Sequence, residues 1–138
     1  MVQIAHACIK GLEEGSNIRG RVNLRQLSRG VLVTAEVTGL PPSGMFALHI
    51  HSGKRCSAPG KHFDLAGEPH PCHSGDLPPL FSDRWGWAWL QVRTDRFTLG
   101  EVVGRTVIIH ARRDDFTTQP SGDPGEMIAC GEITVCRG

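Results

Sequence analysis

The stretch that most limits what this chain can become is the 28-residue run from His49 to Asp76. It carries five of the seven histidines, two of the five cysteines and two aspartates. Imidazoles gathered this densely in a short chain point to a metal ion that organises them. The run opens with His49-Ile50-His51. On a β-strand alternate side chains share a face, so both imidazoles can reach one ion while Ile50 turns to a core. It continues through Gly-, Pro- and Cys-rich loop residues to His62, His70, His73 and Asp76. Imidazole nitrogen suits copper and zinc, and histidines joined by one carboxylate form a common zinc set. A further histidine, His110, closes the β-branched run Thr106-Val107-Ile108-Ile109. The bland alternative is a loop whose histidines only hydrogen-bond and solubilise. The H-x-H pair and the cluster together argue against it.

The bulk numbers narrow the function classes. At 138 residues the chain is expected to be one domain, 1–138, large enough for an ordinary core. A formal net charge of +1 argues against nucleic-acid binding, which needs a strong basic excess. No apolar run approaches the ~20 residues that a membrane span requires. Met1 is not followed by a secretory pattern. A cytoplasmic location is therefore expected if Met1 is the native start, and a periplasmic or secreted one if the chain is a mature form.

With 17 glycines, 9 prolines and little helical periodicity, the chain reads as a turn-rich β-protein. Val2 to Lys10 is a first strand, and Gly20 to Leu27 alternates. Val31, Val33, Ala35 and Val37 oppose Leu32, Thr34, Glu36 and Thr38, the period of a half-buried strand. Met45 to His51, Trp85 to Arg93, a short Phe97 to Leu99, Arg105 to Ala111 and Ile128 to Cys136 complete the set. The expected fold is all-β: a Greek-key barrel or sandwich of about eight antiparallel strands with two long functional loops. The second loop is the polar stretch Arg112 to Gly125.

At this point the sequence resembles the copper/zinc superoxide dismutase family over nearly its whole length. The matching stretches are His49-Ile-His51, Gly60-Lys-His62-Phe, His73-Ser-Gly-Asp76-Leu, Gly104-Arg-Thr-Val-Ile-Ile-His110, Asp114-Asp115 and Ala129-Cys130-Gly131. The run from Asp114 to Gly122 is similar to the bacterial branch. The resemblance implies His49, His51, His62 and His110 as copper ligands and His62, His70, His73 and Asp76 as zinc ligands. His62 then bridges the metals and supplies a proton as the catalytic residue. It further implies Asp114 as the carboxylate that orients one ligand of each metal, and a Cys56–Cys130 disulfide. The implied reaction is dismutation of superoxide to dioxygen and hydrogen peroxide, with copper carrying the electron and zinc holding the site.

The chain departs from that family in three places. Only two residues separate His70 from His73, and the stretch from His51 to Cys56, whose counterpart contributes to the eukaryotic dimer contact, is short. The family's channel arginine is replaced by Met127, while Ser121 keeps the hydroxyl of the channel wall. Steering of the anion would then fall to Arg112, Arg113, Lys54 or Lys61. The alternative function is a non-catalytic or weakly active dismutase-like protein that binds copper and zinc. Cys72 reads as a free thiol and His6 as an ordinary strand histidine, while the pairing of Cys8 and Cys136 is left open. Trp85, Trp87 and Trp89 alternate, so they are expected to share the outer face of one strand and to form a homodimer contact there. Satellite packing under a loop is the alternative for these rings.

Overall fold

Alternation of period two governs the first part of the chain. In the computed structural model, described for residues 3–136, it forms an antiparallel meander of β1 (Ile4–Gly11), β2 (Arg19–Gln26) and β3 (Val31–Thr38). Val2, the expected start of the first strand, and Met1, on which the expected compartment turns, lie outside the described residues. Ala5, Ala7, Ile9, Val22, Leu24, Val31, Val33, Ala35 and Val37 all face the core and are essentially wholly buried. Fully burying a Val, Leu or Ile side chain is worth about 1.5–3 kcal/mol, so a slip of one residue in register would forfeit the whole inner face.

The next strand is broken. Met45 to His51 is expected as one strand, but β4 (Met45–Phe46) and β5 (Leu48–His51) are parted by Ala47. That residue's N–H donates to Arg112 O and its carbonyl accepts from His110 N. Then come β6 (Leu80–Phe81), β7 (Ala88–Thr94), a helical turn α1 (Leu99–Val102), β8 (Thr106–His110) and β9 (Met127–Val135). Phe97 to Leu99 is therefore no strand. Thr98 caps the helical turn, its N–H and hydroxyl both donating to the Glu101 carboxylate at 2.7 and 2.9 Å. This reciprocal capping chemistry outweighs a three-residue apolar run.

The sheet order is β5-β8-β9-β1-β2-β3-β7, every pair antiparallel. Because β9 returns to lie between β8 and β1, the connections are of Greek-key kind, as expected. The short β4 and β6 pair antiparallel with each other as a separate two-stranded sheet. Two consequences position the site. All four residues of β5 are buried, Leu48 and Ile50 in the core and His49 and His51 beneath loops. And the β8–β9 register shifts between Ile109 and His110, so that Met127 rather than Ile128 faces His110. Such a bulge re-aims the side chain beside it.

The tryptophans follow the expectation in exposure but not in placement. Only Trp89 lies within a strand; Trp85 sits in the turn before β7, where the Asp83 carboxylate accepts the N–H groups of Trp85 and Trp87. Trp85, Trp87 and Trp89 are 74, 42 and 52% exposed and Phe81 is 62% exposed, whereas Ala88 is in the core. Satellite packing is excluded by those exposures.

Candidate metal centre

The loop from Ser52 to Pro79 is sewn onto the free edge of β5. Phe63 N–H donates to Ile50 O at 2.8 Å, Ile50 N–H to Gly75 O at 2.8 Å, and Gly75 N–H to Phe63 O at 2.7 Å. These bonds bring His62 beside His51 and Asp76 beside His49. Gly75 is required there, because a Cβ would drive into the Ile50 backbone. The second loop closes from the other side. Its Gly122 has φ of 83° and lies where any Cβ would collide with the Asp114 carboxylate and the His70 ring.

The expected ligands are brought together in two groups. His49, His51, His62 and His110 each offer a ligand atom within 4.8 Å of the others. On the far side of His62, its Nδ1 lies 2.8 Å from Asp76 Oδ1. His70 Nδ1 is 3.0 Å and His73 Nδ1 3.3 Å from Asp76 Oδ2. His73 Nδ1 is also 3.4 Å from His62 Nδ1. His49 falls within reach of His62, His70 and Asp76 as well. It cannot serve both groups with one nitrogen, however, and His73 stands beside Asp76 and His62 in the second group. His62 alone turns a different nitrogen toward each group.

What faces the gap in each group is decided by what holds the other ring nitrogen. His51 Nδ1 and His110 Nδ1 donate to Gly60 O and Gly125 O at 2.9 and 3.0 Å. Asp114 accepts from His49 Nε2 at 2.9 Å and His70 Nε2 at 2.6 Å, and its Oδ1 takes the Phe116 N–H at 2.7 Å. Each acceptor fixes a proton on one nitrogen and leaves a lone pair on the other. Among the described residues, five buried side-chain polar atoms have no hydrogen-bond partner. They are His49 Nδ1, His51 Nε2, His62 Nε2, His70 Nδ1 and His110 Nε2. Buried polar atoms seldom lack partners, and five converging lone pairs are what a metal ion requires.

Electrostatics keeps three of those lone pairs free, on His49, His51 and His110. Burial, then the neighbouring imidazole of His62, pushes His49 down to about 2. Burial likewise takes His51 to about 4, despite the Gly60 carbonyl, and lowers His110. Burial by itself would raise the Asp76 carboxyl, but the His62 hydrogen bond and the attraction of His62, His70 and His49 leave it below the ordinary carboxylate range. Imidazole nitrogens together with one carboxylate form a donor set that suits copper and zinc.

An open cavity reaches His51, His62, His73 and His110, and Ser121 lines it as expected. Met127 does not. Already the first residue of β9, it lines a separate groove with Leu12, Ile18 and Pro41. Of the four candidate cations, Lys61 lines the cavity, whereas Arg112 lies 3.2 Å from Asp123. Arg105 also lines it but is committed elsewhere. It donates to Glu101 O and Ser52 O at 2.9 and 2.8 Å and lies 4.4 Å over the Phe63 ring.

Two residues to which the sequence assigned no role hold the ligands in place. Gln119 grips the His70 backbone with both ends of its amide, accepting from His70 N at 2.9 Å and donating to His70 O at 2.6 Å. Arg96 donates to Pro71 O and His73 O, each at 3.1 Å. Asp115 only caps the following turn, accepting from Thr117 N and Thr118 N. The Cys56–Cys130 disulfide is present, and Cys8, Cys72 and Cys136 are free.

A family model described as copper/zinc superoxide dismutase matches residues 18–133. Superoxide dismutase (Cu-Zn) 2 of Aquifex aeolicus is 30% identical, the alignment covering 94% of this chain and 85% of that protein. Superoxide dismutase (Cu-Zn) of Photobacterium leiognathi is 35% identical over 83% of this chain and 78% of its own. The mouse copper chaperone for superoxide dismutase is 28% identical over 96% of this chain but only 54% of its own length.

Proposed function

Because this chain belongs to the copper/zinc superoxide dismutase family, we propose that it dismutates superoxide to dioxygen and hydrogen peroxide with copper and zinc on its two histidine groups. The observation that carries this reading is the set of five partnerless imidazole nitrogens divided between two groups that share His62. His49 Nδ1, His51 Nε2, His62 Nε2 and His110 Nε2 would hold copper. His62 Nδ1, His70 Nδ1, His73 Nδ1 and Asp76 would hold zinc. When bound, copper supplies the one-electron chemistry of both half-reactions. The chain's own part is to present imidazoles whose tautomers are fixed by their partners and to admit a small anion through the Ser121-lined opening. His62 Nε2 carries a proton to the reduced product. Protein loaded with one equivalent of each metal should consume superoxide. Retention of both metals without consumption would favour the alternative reading, a dismutase-like domain that only handles copper, which the chaperone relative illustrates.

Steering is assigned to Lys61 rather than to position 127. Focused positive charge can raise association rates of an anion ~10-fold or more. Lys61→Glu should therefore lower the rate several-fold at low salt and flatten its salt dependence, while Met127→Arg leaves both close to the parent. A faster Met127→Arg variant would return the role to that position.

The proposed assembly is a homodimer through Trp85, Trp87, Trp89 and Phe81. Four large aromatic rings are exposed on neighbouring stretches of chain, and large exposed apolar surface of this kind marks a contact. Trp87 Nε1–H already donates to Glu36 at 2.9 Å, which fixes that ring. Trp87→Lys should sediment as a folded, metal-replete monomer. A parent protein that is itself monomeric at high concentration would remove the idea.

A further inference from the structure

The outward faces of β1 and β9 carry chemistry that the metal centre does not use. His6 and Cys8 alternate with the buried Ala5, Ala7 and Ile9 on β1, and Cys136 follows directly on β9. His6 pairs with Thr134 in the ladder, and Cys136 N–H donates to Ile4 O at 2.9 Å. Cys136 is thus the diagonal cross-strand neighbour of His6, a spacing that long side chains bridge. The bridge is made: His6 Nδ1 lies 2.8 Å from Cys136 Sγ.

We infer that His6 and Cys136 form a base–nucleophile pair that makes Cys136 the site of oxidation by hydrogen peroxide. With the imidazole proton on Nε2, Nδ1 is an acceptor aimed at the thiol. As sulfur attacks one peroxide oxygen, the O–O bond breaks and an S–O bond forms. The thiol proton passes through His6 Nδ1 to the departing hydroxide, which leaves as water. Sulfur loses two electrons to give a sulfenic acid, and the peroxide is reduced. A positioned base of this kind usually accelerates a proton-coupled step at least ~100-fold. For its natural oxidant the inference rests on the activity proposed above, since peroxide is that reaction's product. Its chemistry does not, because added peroxide probes the thiol whether or not superoxide is consumed.

The other two free thiols are internal references. Cys8 and Cys72 are exposed and Cys136 is half-buried, so accessibility alone ranks Cys136 last. In the full-length protein, iodoacetamide alkylation followed by peptide mass spectrometry should rank it first, by tenfold or more. Dimedone after one equivalent of hydrogen peroxide should label Cys136 ahead of both. His6→Gln should bring the Cys136 rate down to or below that of Cys8, leaving Cys8 and Cys72 unchanged. Should that variant fail to fold, the ranking within the parent protein decides. Cys136 reacting slowest of the three, or as fast without His6, would overturn the inference.

Discussion

His62→Ala is expected to abolish superoxide consumption and to weaken both metals at once, which no other single ligand substitution should do. The reason is geometric. His62 Nδ1 sits 2.8 Å from Asp76 in one group, while its Nε2 is a partnerless atom facing the other. His51→Ala removes a donor from the copper group alone, and His73→Ala removes one from the zinc group alone. Alanine at 62 withdraws a nitrogen from each. It also lets two cations approach with no shared ring between them. Activity should fall by two orders of magnitude or more. Because metal binding of this kind is folding energy, the variant loaded with both metals should melt lower by on the order of 10 °C. Titrating each metal separately into His62→Ala, His51→Ala and His73→Ala checks the pattern. Undiminished zinc affinity in His62→Ala would show that the ring is not shared.

The parts of the structure legible in the sequence are those where one physical requirement acts on neighbouring residues. Val31, Val33, Ala35 and Val37 alternate because one sheet face is buried, and the H-x-H of β5 follows the same period. What escaped reading depends on contacts between distant residues. Gln119 reaches His70 across 49 positions, and an isolated glutamine in a polar loop gives no periodic signal. The bulge that turns His110 into the site arises from pairing with β9 and has no signature in β8 itself. Met127 shows the same limit from the other side: its place in the sequence suggests the channel, but the start of β9 carries it to another groove. Thr98 and Glu101 are a different case. Their spacing is a capping signal, and the apolar pair Phe97 and Leu99 drew attention away from it. The tryptophans alternate in sequence, yet Asp83 folds the first two around a turn.

Asp114 gives the sharpest separation between the two metals. Its Oδ2 accepts from His49 and its Oδ1 from both His70 and Phe116, and the residue is 4% exposed. Asp114→Ala leaves two buried ring N–H groups without an acceptor, at about 1–3 kcal/mol each. It also frees both rings to turn, and the loss of such an orienting partner usually lowers metal affinity about 10–100-fold. Both metals should therefore weaken together. Asp114→Asn should behave differently. Its carbonyl is expected to keep the Oδ1 position, where two donors converge, and so to retain the His70 tautomer. Its amide then presents a donor to His49 Nε2, which must become the acceptor. The His49 proton moves to Nδ1, the atom that faces His51, His62 and His110. Copper affinity in Asp114→Asn should fall by tenfold or more beyond any loss of zinc, whereas in Asp114→Ala the two losses should be similar. Competition titrations with a chelator of known affinity for each metal measure both. Equal losses in the asparagine variant would mean that Asp114 acts on these histidines by charge alone and not by setting which nitrogen bears the proton.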